Sequence, residues 1–376
     1  MSEPFKVALV GPSGVGKTTL VTAILSETED LLSNTKVTVV TEEKTASRVR
    51  AQKKELYSAI AAGEFNAEAL RNTQEMSVYD LMLQADGEFG LEVPFSVLDY
   101  PGGWLDPERR TEMARRLWPL CEAYIRESVM LLLPIDSALL MEAVNKAQLA
   151  AVPDLLGIVD VETVAVKWAR ARASHPDEPA VVVLAPLKCE KYFEDNGGSG
   201  HEADDLERRV AEIYGEVLRK IRKQTPGRDV RVVYAPIDTY GCVQLMEHEW
   251  KLDTGDRLEF RGSYRFRGRP PKISVKAAGT VMQELCRCIV SAEAGRARRE
   301  MSDYSEKRSG LLERKAEEKG FWGTIGYYMG GEAWQNRQGR KLSEREILAA
   351  TAEQAQLEEA VRKLASTDLD LRVRIW

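Results

Sequence analysis

The chain has 376 residues, of which 44% are hydrophobic and 30% are charged, and its formal net charge is -6. This composition is ordinary for a globular protein, and the negative balance gives no reason to expect binding to nucleic acid. The first residues lack the basic segment and apolar run of a secretory signal, and no apolar run reaches the ~20 residues of a membrane-spanning helix. We therefore expect a cytoplasmic protein without a transmembrane segment. Its five cysteines have no zinc-site spacing and are expected to be buried thiols.

The first predicted elements are a strand over residues 5–10 and a helix from residue 17, joined by the loop GPSGVGKT at residues 11–18. This loop matches the phosphate-loop pattern GxxxxGK[ST] in full, in the strand–loop–helix context that the pattern requires. Its N–H groups would wrap phosphate, Lys17 would reach the terminal phosphates, and the Thr18 hydroxyl would bind Mg²⁺. The predicted nucleotide-binding residues in this segment are Gly11, Ser13, Gly14, Val15, Gly16, Lys17, Thr18 and Thr19.

The next two predicted strands, residues 76–84 and 92–98, are joined by a segment too short for a helical crossover, which predicts an antiparallel hairpin. The hairpin ends in VLDYPGG, where Asp99 and Gly102 form a DxxG pattern. A carboxylate at a strand end can hold Mg²⁺, and the Gly102 amide can sense a terminal phosphate. We therefore assign Asp99 to the metal site, and Lys17 and Gly102 to catalysis.

The rest of the chain alternates apolar strands with helices, which predicts an α/β fold with a mainly parallel sheet, one antiparallel hairpin and helices on both faces. The further strands are predicted at residues 128–135, 180–185 and 230–235, and the helices at 107–126, 137–151, 203–224 and 275–298. We assign residues 1–300 to one domain with insertions at about 30–72 and 241–272. Residues 301–376 form a mostly helical appendage that ends in a short strand.

The hairpin before DxxG resembles the translation-factor-like (TRAFAC) class of P-loop GTPases, and DYPGGWL is similar to the DxPGEWL segment of the YcjX-like and double-GTPase families of bacterial proteins. The resemblance covers roughly residues 5–290, and only the phosphate loop and DxPG are specific. It implies a threonine that closes over Mg²⁺ and the terminal phosphate, for which Thr73 is the matching residue; a polar cap of a strand is the alternative. Arg71 is a candidate arginine finger, or a solvated arginine at a helix end.

The resemblance also implies a guanine-reading [NT]KxD segment, for which this chain offers Leu187, Lys188, Cys189 and Glu190. Lys188 would lie along the base, and Glu190 would accept hydrogen bonds from the guanine N1 and exocyclic amine. The Ala235 amide is the candidate partner of the guanine carbonyl. The alternative is that Lys188 and Glu190 form a solvated surface ion pair.

Hydrolysis is where the sequence departs from the resemblance, because the residue after DxxG is Gly103 instead of a side chain that orients water. We therefore predict a Mg²⁺-dependent, GTP-binding switch that hydrolyses GTP slowly and is stimulated by a protein partner or by self-association. An ATPase and a nucleotide-binding scaffold with negligible turnover remain as alternatives.

Two segments outside the phosphate site have their own patterns. Residues 241–272 alternate like a hairpin with DTGD as its turn, so the arginines of RGSYRFRGRPPK are expected on an exposed strand face, although such a segment also fits RNA binding. A C-terminal helix and a following strand either pack on the nucleotide-binding domain or dock a second subunit or an effector. The helix seam comprises Ile347, Ala350, Leu357, Val361 and Leu364, and the strand face comprises Leu369, Leu371, Val373 and Ile375.

Overall fold

The computed structural model describes residues 4–62, 75–88, 91–175, 178–253, 255, 257–291 and 344–376. Arg71 and Thr73 lie outside these ranges, and so do the side chains of Ile347 and Ala350. The predictions for these four residues therefore stay predictions.

The described strands and helices alternate along most of the chain. The strands are β1 (Phe5–Leu9), β2 (Val37–Thr41), β3 (Ser77–Ala85), β4 (Glu92–Asp99), β5 (Met130–Asp136), β6 (Val181–Leu187), β7 (Arg231–Tyr234), β8 (Val243–Leu252), β9 (Leu258–Phe266) and β10 (Arg374–Ile375). The helices are α1 (Lys17–Leu32), α2 (Glu43–Ala62), α3 (Glu112–Glu127), α4 (Ser137–Met141), α5 (Lys146–Leu155), α6 (Ile158–Ala173), α7 (Gly200–Gln224), α8 (helical residues 280–291) and α9 (Glu344–Ser366).

Eight strands form one mixed sheet in the order β10-β7-β6-β5-β1-β4-β3-β2. The strands from β7 to β4 run parallel, whereas β3 pairs antiparallel with β4, in a register that places Ser77 opposite Asp99. The predicted α/β fold with a mainly parallel sheet and one antiparallel hairpin is confirmed. Strand β2 was not predicted; it lies in the expected insertion at 30–72 and extends the antiparallel side by pairing with β3.

Both faces of the sheet are buried, because successive residues of each strand point to opposite sides. In β1 and the residue after it, Val7 and Leu9 pack into one hydrophobic cluster, while Ala8 and Val10 pack into the other. Helices α1, α8 and α9 cover the first face, and α3, α6 and α7 cover the second. The expectation of helices on both faces is therefore confirmed.

Two helix predictions had wrong boundaries. The helix predicted at 107–126 begins at Glu112, since Thr111 caps it by accepting a hydrogen bond from the Ala114 amide. The helix predicted at 137–151 is interrupted, because Asn145 and Gln148 form a capping box that starts α5 anew. Helix α6, which follows, was not predicted.

The expected hairpin at 241–272 is present as β8 and β9, which form a separate two-stranded antiparallel sheet. Its base packs against helix α2, where Val243 and Phe266 contact Leu56. Arg261 and Arg265 are exposed on β9, as the alternating pattern predicted.

The C-terminal helix and strand pack on the same core as the sheet. Leu357, Val361 and Leu364 of α9 are buried with the residues of α1 and β1, and β10 joins the sheet edge beside β7. Of the two alternatives for this segment, packing is thus observed, although the strand is limited to Arg374–Ile375 and Leu371 is 91% exposed. The domain division at residue 300 stays a prediction, because residues 292–343 lie outside the described ranges. Among the described residues, no helix has the length and apolar character needed to cross a membrane.

Candidate functional site

The predicted site residues meet at the carboxyl edge of the parallel strands. The loop at residues 11–18 follows β1, Asp99 ends β4, Asp136 ends β5, and Lys188 comes directly after β6. Strand β1 lies between β4 and β5, and the helices that follow β1 and β4 pack on opposite faces of the sheet. This is the place where open α/β sheets bind ligands.

The loop itself owes its course to glycines with left-handed backbone conformations. Gly14 has φ of 75° and Gly16 has φ of 104°, and Gly16 is also the N-cap of α1. L-residues with side chains rarely adopt such conformations, whereas glycine does so without strain. The loop therefore delivers its backbone to the N-terminus of a sixteen-residue helix, where N–H groups and the helix dipole favour an anion.

Lys17 turns back over this loop. Its Nζ donates hydrogen bonds to the carbonyl oxygens of Gly11 at 3.0 Å and Pro12 at 2.8 Å, and the residue is only 6% exposed. Burial lowers the pKa of Lys17 to about 8, although the negative charge of Asp99 acts in the opposite direction. An anionic ligand in the loop would favour the charged ammonium, so the site is suited to phosphate.

Thr18 and Asp99 form a compact group of oxygen ligands beside Lys17. The Thr18 hydroxyl donates a hydrogen bond of 2.7 Å to Oδ2 of Asp99, a fully buried residue. Among the described residues, no cluster of three or more His, Cys, Asp or Glu side chains could hold a metal by itself. One hydroxyl and one carboxylate fit Mg²⁺, which usually binds through one or two protein oxygens together with water and phosphate.

The DxPG segment lies directly against the phosphate loop. A Cβ at Gly102 would come within 2.1 Å of the Ser13 backbone nitrogen and 2.3 Å of the Pro12 carbonyl carbon. Arg110 stabilises the segment. Its Nε donates a hydrogen bond to the Trp104 carbonyl at 2.6 Å, and its guanidinium lies 4.0 Å from the centre of the Trp118 ring. The close approach of Gly102 requires the residue that has no side chain.

Gly103 leaves an open space beside this contact. The nearest atom to a Cβ built at Gly103 is the Ser13 hydroxyl oxygen, at 4.0 Å. Trp104, the next residue, is buried in the core and packs there instead of facing the loop. The segment therefore brings bare backbone against the phosphate loop, but Gly103 brings no polar side chain.

Lys188, which directly follows β6, extends its side chain to the phosphate loop. Its Nζ donates to the Gly14 carbonyl at 3.0 Å, forms an ion pair with Asp136, and lies 5.7 Å from the centre of the Tyr264 ring. Its backbone has φ of 56°, which is uncommon for a residue with a side chain and concentrates at functional sites. The carboxylate partner of Lys188 is Asp136, so the solvated Lys188–Glu190 pair is not what the structure contains.

Glu190 follows Lys188 by two positions in the chain and is only 6% exposed. Burial raises the pKa of its carboxyl, and the nearby negative charge of Asp238 raises it further. The backbone N–H groups of Glu190 and Gly241 and the charge of Arg372 act against this rise in pKa. Burial and Asp238 thus favour the neutral carboxyl of Glu190, whereas the N–H groups and Arg372 favour its ionised form.

Ala235 has a different role from the one that the sequence indicated. Its amide donates a hydrogen bond to the Leu184 carbonyl at 2.8 Å, within the parallel pairing of β6 and β7. The Ile237 amide is engaged in the same way with Pro186 at 2.8 Å. The Ala235 amide is therefore part of the sheet and is not directed to a bound base.

Several residues lie at this edge of the sheet although the sequence did not predict them as site residues. Asp136 and Asp238 each end a segment PID that follows an apolar run of sequence, and this repeated pattern was a readable signal. Tyr240 approaches Thr19, with the two hydroxyl oxygens 3.5 Å apart, and Tyr264 faces Lys188 from the β8–β9 hairpin. Neither tyrosine could be placed from local sequence, because each comes from a loop or hairpin far along the chain.

Comparisons with known proteins give little beyond this geometry. No protein-family model matches the chain, and no curated protein matches its sequence. Among solved structures, it is similar to a chain of the signal recognition particle receptor SRb-GTP/SRX complex from Chaetomium thermophilum, at 12% identity and a TM-score of 0.31. The match covers 62% of this chain and 93% of the other. A likeness at this level carries no argument, so the function is inferred from the site.

Proposed function

We propose that this chain is a P-loop nucleoside triphosphatase that binds GTP with Mg²⁺ and hydrolyses it slowly, as a switch. The observation that carries the proposal is the convergence of Lys17, Thr18, Asp99 and Gly102 on one glycine-rich loop. A structural turn would have no need for a buried ammonium, a buried carboxylate and a bare backbone at the same helix N-terminus. The negative charge of a bound triphosphate would stabilise the buried ammonium of Lys17, and the Mg²⁺ that accompanies the triphosphate would stabilise the buried carboxylate of Asp99.

Each of these residues has a role in the proposed site. The loop amides and Lys17 hold the β- and γ-phosphates, and the Gly102 amide contacts the terminal phosphate. Thr18 and Asp99 would hold Mg²⁺, which would offset the negative charge of the phosphate oxygens when bound. Thr73 remains a proposed further ligand of Mg²⁺. Arg71 remains a proposed arginine finger, which would stabilise the negative charge of the transition state.

The proposed reaction is the attack of a water oxygen on the γ-phosphorus. The bond from that phosphorus to the bridging oxygen breaks, and the nucleoside diphosphate, inorganic phosphate and a proton are released. This chemistry depends on the orientation of the water, and Gly103 supplies no side chain for it. We therefore propose a slow intrinsic rate, which a protein partner or self-association raises by adding the missing group.

For the base, we propose that GTP is preferred. Lys188 is tied to the Gly14 carbonyl, so its stem would run beside a base that leaves the loop on that side. Glu190, as a carboxylate, would accept hydrogen bonds from the two donors of guanine and repel the acceptor nitrogen of adenine. The likeness of DYPGGWL to the YcjX-like and double-GTPase families agrees with this choice.

A second candidate is a nucleotide-binding scaffold with negligible turnover, and the bare Gly103 favours it. An ATPase is the third, because the raised pKa of Glu190 would weaken its preference for guanine if the carboxyl stays neutral. The three differ in base preference and in turnover, so both must be measured.

The deciding experiment titrates fluorescent GTP and ATP against the purified full chain with Mg²⁺, and then follows a long single turnover. We expect GTP to bind more tightly and to be converted slowly to GDP. Lys17→Ala is the matched control, and it should lose both nucleotides while its melting temperature is kept. Wild-type protein that binds neither nucleotide would contradict the proposal, tight binding without turnover would establish the scaffold, and equal affinity for GTP and ATP would favour the ATPase.

A further inference from the structure

The last ten residues of the chain run along the edge of the sheet that is formed by β7, near the proposed base-binding residues. After α9 ends at Ser366, the chain turns at Asp370, whose carboxylate accepts a hydrogen bond of 2.9 Å from the Arg372 amide. Arg374 then pairs with Tyr234 as β10 joins β7. Trp376 stacks on the Tyr234 ring at 5.4 Å between the ring centres and donates to the Glu207 carboxylate at 3.0 Å. These contacts fix the course of the tail on both sides of Arg372.

Arg372 is the residue of this tail that enters the candidate site. Its Nη1 donates to Oδ2 of Asp238 at 2.7 Å, and its Nη2 donates to the carboxylate of Asp195. Its guanidinium also lies over the Phe193 ring, 4.2 Å from the ring centre. The side chain is 9% exposed and Asp238 is fully buried, so this is a buried ion pair and not a surface contact.

Arg372 joins the loop that carries Lys188 and Glu190, the proposed base-binding residues, to the loop that follows β7. Phe193 and Asp195 belong to the segment that follows Lys188 and Glu190, and Asp238 belongs to the loop after β7. The loops also bond directly, since Nδ2 of Asn196 donates to Asp238 at 2.9 Å and the Cys189 thiol donates to it at 3.4 Å. Asp238 is thus the common acceptor, and Arg372 brings the only full positive charge that the described hydrogen bonds direct to it.

We propose that Arg372 is a specificity-positioning residue of the base site, which ties these two loops together and neutralises Asp238 so that Glu190 can be presented to guanine as a carboxylate. This inference rests on the proposed function. Its new content is that base selection depends on a residue of the C-terminal tail, whose guanidinium bonds to Asp238 and Asp195.

The physical reason is that two buried carboxylates cannot both stay ionised at low cost without a cation. The negative charge of Asp238 favours the neutral form of Glu190, and the positive charge of Arg372 favours the ionised form. If Arg372 is removed, the pair holds its proton more tightly, and Glu190 becomes less readily the carboxylate that accepts both hydrogen bonds from guanine. Adenine has no such pair of donors, so ATP binding should change little.

The test compares Arg372→Met with Arg372→Lys and with a control in the same tail, Arg374→Met. Arg374 donates to the tail's own carbonyl groups, including that of Val373 at 3.0 Å, so its loss leaves the two loops tied. Dissociation constants are measured for GTP, ATP and inosine triphosphate, which lacks the exocyclic amine of guanine. Melting temperatures are recorded for every variant.

For Arg372→Met we expect GTP affinity to fall by about tenfold or more, the typical effect of losing hydrogen bonds to a charged group, with ATP affinity within about twofold of wild type. The preference for GTP over inosine triphosphate should shrink in parallel. Arg372→Lys should recover part of the preference because it keeps the charge, and Arg374→Met should match wild type. A selective loss of this kind separates positioning from a merely structural role, which would weaken all three nucleotides equally.

The inference is overturned if Arg372→Met keeps the wild-type ratio of GTP to ATP affinity, or if all three nucleotides weaken together. If Arg372→Met does not fold, Asp195→Asn decides, since it loosens the guanidinium through a residue that is 48% exposed. It should reduce the GTP preference about twofold to threefold, the modest scale of a partly exposed pair, and an unchanged ratio would overturn the inference. Failure of the proposed function looks different, because wild-type protein would then bind no nucleotide. Wild-type protein that binds GTP and ATP equally would refute the role of Arg372 but leave nucleotide binding in place.

Discussion

The Thr18 hydroxyl donates a hydrogen bond of 2.7 Å to the Asp99 carboxylate, although 81 positions separate the two residues in the chain. The contact exists because β1 and β4 are parallel neighbours, so that the helix after one strand and the last residue of the other meet at the same edge. A helix N-terminus and a strand end thereby supply the two oxygen ligands of the proposed magnesium site.

We predict that Thr18→Ala and Asp99→Asn act mainly through Mg²⁺. Each variant loses one proposed oxygen ligand, so the Mg²⁺ concentration that gives half-maximal GTP binding should rise about tenfold or more, as is typical when a metal's ligand sphere is disturbed. Titration of Mg²⁺ at fixed fluorescent GTP measures this. Thr18→Ser keeps the hydroxyl and is the control. Superimposable Mg²⁺ titrations for wild type and Thr18→Ala would refute the metal assignment.

Lys17→Ala is predicted to abolish tight binding of triphosphate without loss of the fold. The ammonium is replaced by a methyl group, so charge-assisted bonds to the β- and γ-phosphates disappear, and affinity should fall about 100-fold. Because burial already lowers the pKa of Lys17, its removal relieves a buried charge, and the melting temperature should stay level or rise. Undiminished affinity for GTP in this variant would contradict the phosphate site.

Gly102 and Gly103 are predicted to respond oppositely to the same substitution. In Gly102→Ala the new Cβ meets backbone atoms of Ser13 and Pro12 that cannot yield, so the loop must shift and GTP affinity and melting temperature should both fall. Gly103→Ala is the matched control, since the nearest atom there is 4.0 Å from the new Cβ and the protein should fold and bind as wild type. Calorimetry and nucleotide titration on the two variants test the predicted contrast. If both behave alike, the close approach of the two loops is refuted.

Much of the phosphate site could be predicted from the sequence because its signals are local. The loop, Lys17 and Thr18 are contiguous, and Asp99 ends a strand whose hairpin is recognisable from a short connection. The base side is different, since Arg372 and Asp238 are 134 positions apart and meet only because the tail joins the edge of the sheet beside β7.

The remaining differences between sequence and structure also have physical causes. Ala235 follows an apolar strand as the resemblance required, but sequence alone does not reveal that the sheet pairing continues through its amide. Strand β2 is short and lies between two helices, so its pairing with β3 depends on tertiary structure. The break before α5, in contrast, had a readable local signal in Asn145 and Gln148.

Glu190 is predicted to carry the preference for GTP and to make it depend on pH. The pKa of its carboxyl is raised in the free protein, and the proposed complex needs the carboxylate, so GTP affinity should increase as pH rises above the ordinary glutamate range. ATP affinity should lack this increase. Glu190→Gln should remove both the preference and the rise with pH, and direct titrations at several pH values measure them. The charges of Asp238 and Arg372 act on the pKa of Glu190, and the charge of Glu190 in turn raises the pKa of Cys189, Tyr240, Cys242 and Tyr264.

The same raised pKa has a consequence for stability. Above the ordinary pKa of glutamate, the unfolded chain releases a proton that the folded protein retains, so the free energy of unfolding should decrease as pH rises through this range. Glu190→Gln should flatten that dependence in urea denaturation at several pH values. A GTP preference and a pH dependence that both survive in Glu190→Gln would show that another group reads the base.

The last prediction separates the two readings of the C-terminal segment, with a matched pair of leucines. Leu357 lies in the hydrophobic core with 0% exposure, whereas Leu371 in the tail is 91% exposed. Leu357→Ala should lower the free energy of unfolding by about 2–5 kcal/mol, because it opens a cavity in the core, and Leu371→Ala should change it by less than about 0.5 kcal/mol. Urea denaturation of the full chain measures both values. For the same reason a chain that ends at Gly339 should lose its stable fold, since it lacks one of the three helices that cover the first face of the sheet. If that shortened chain keeps its stability and GTP affinity, α9 is a docking element, and its packing in the core is not needed for the fold.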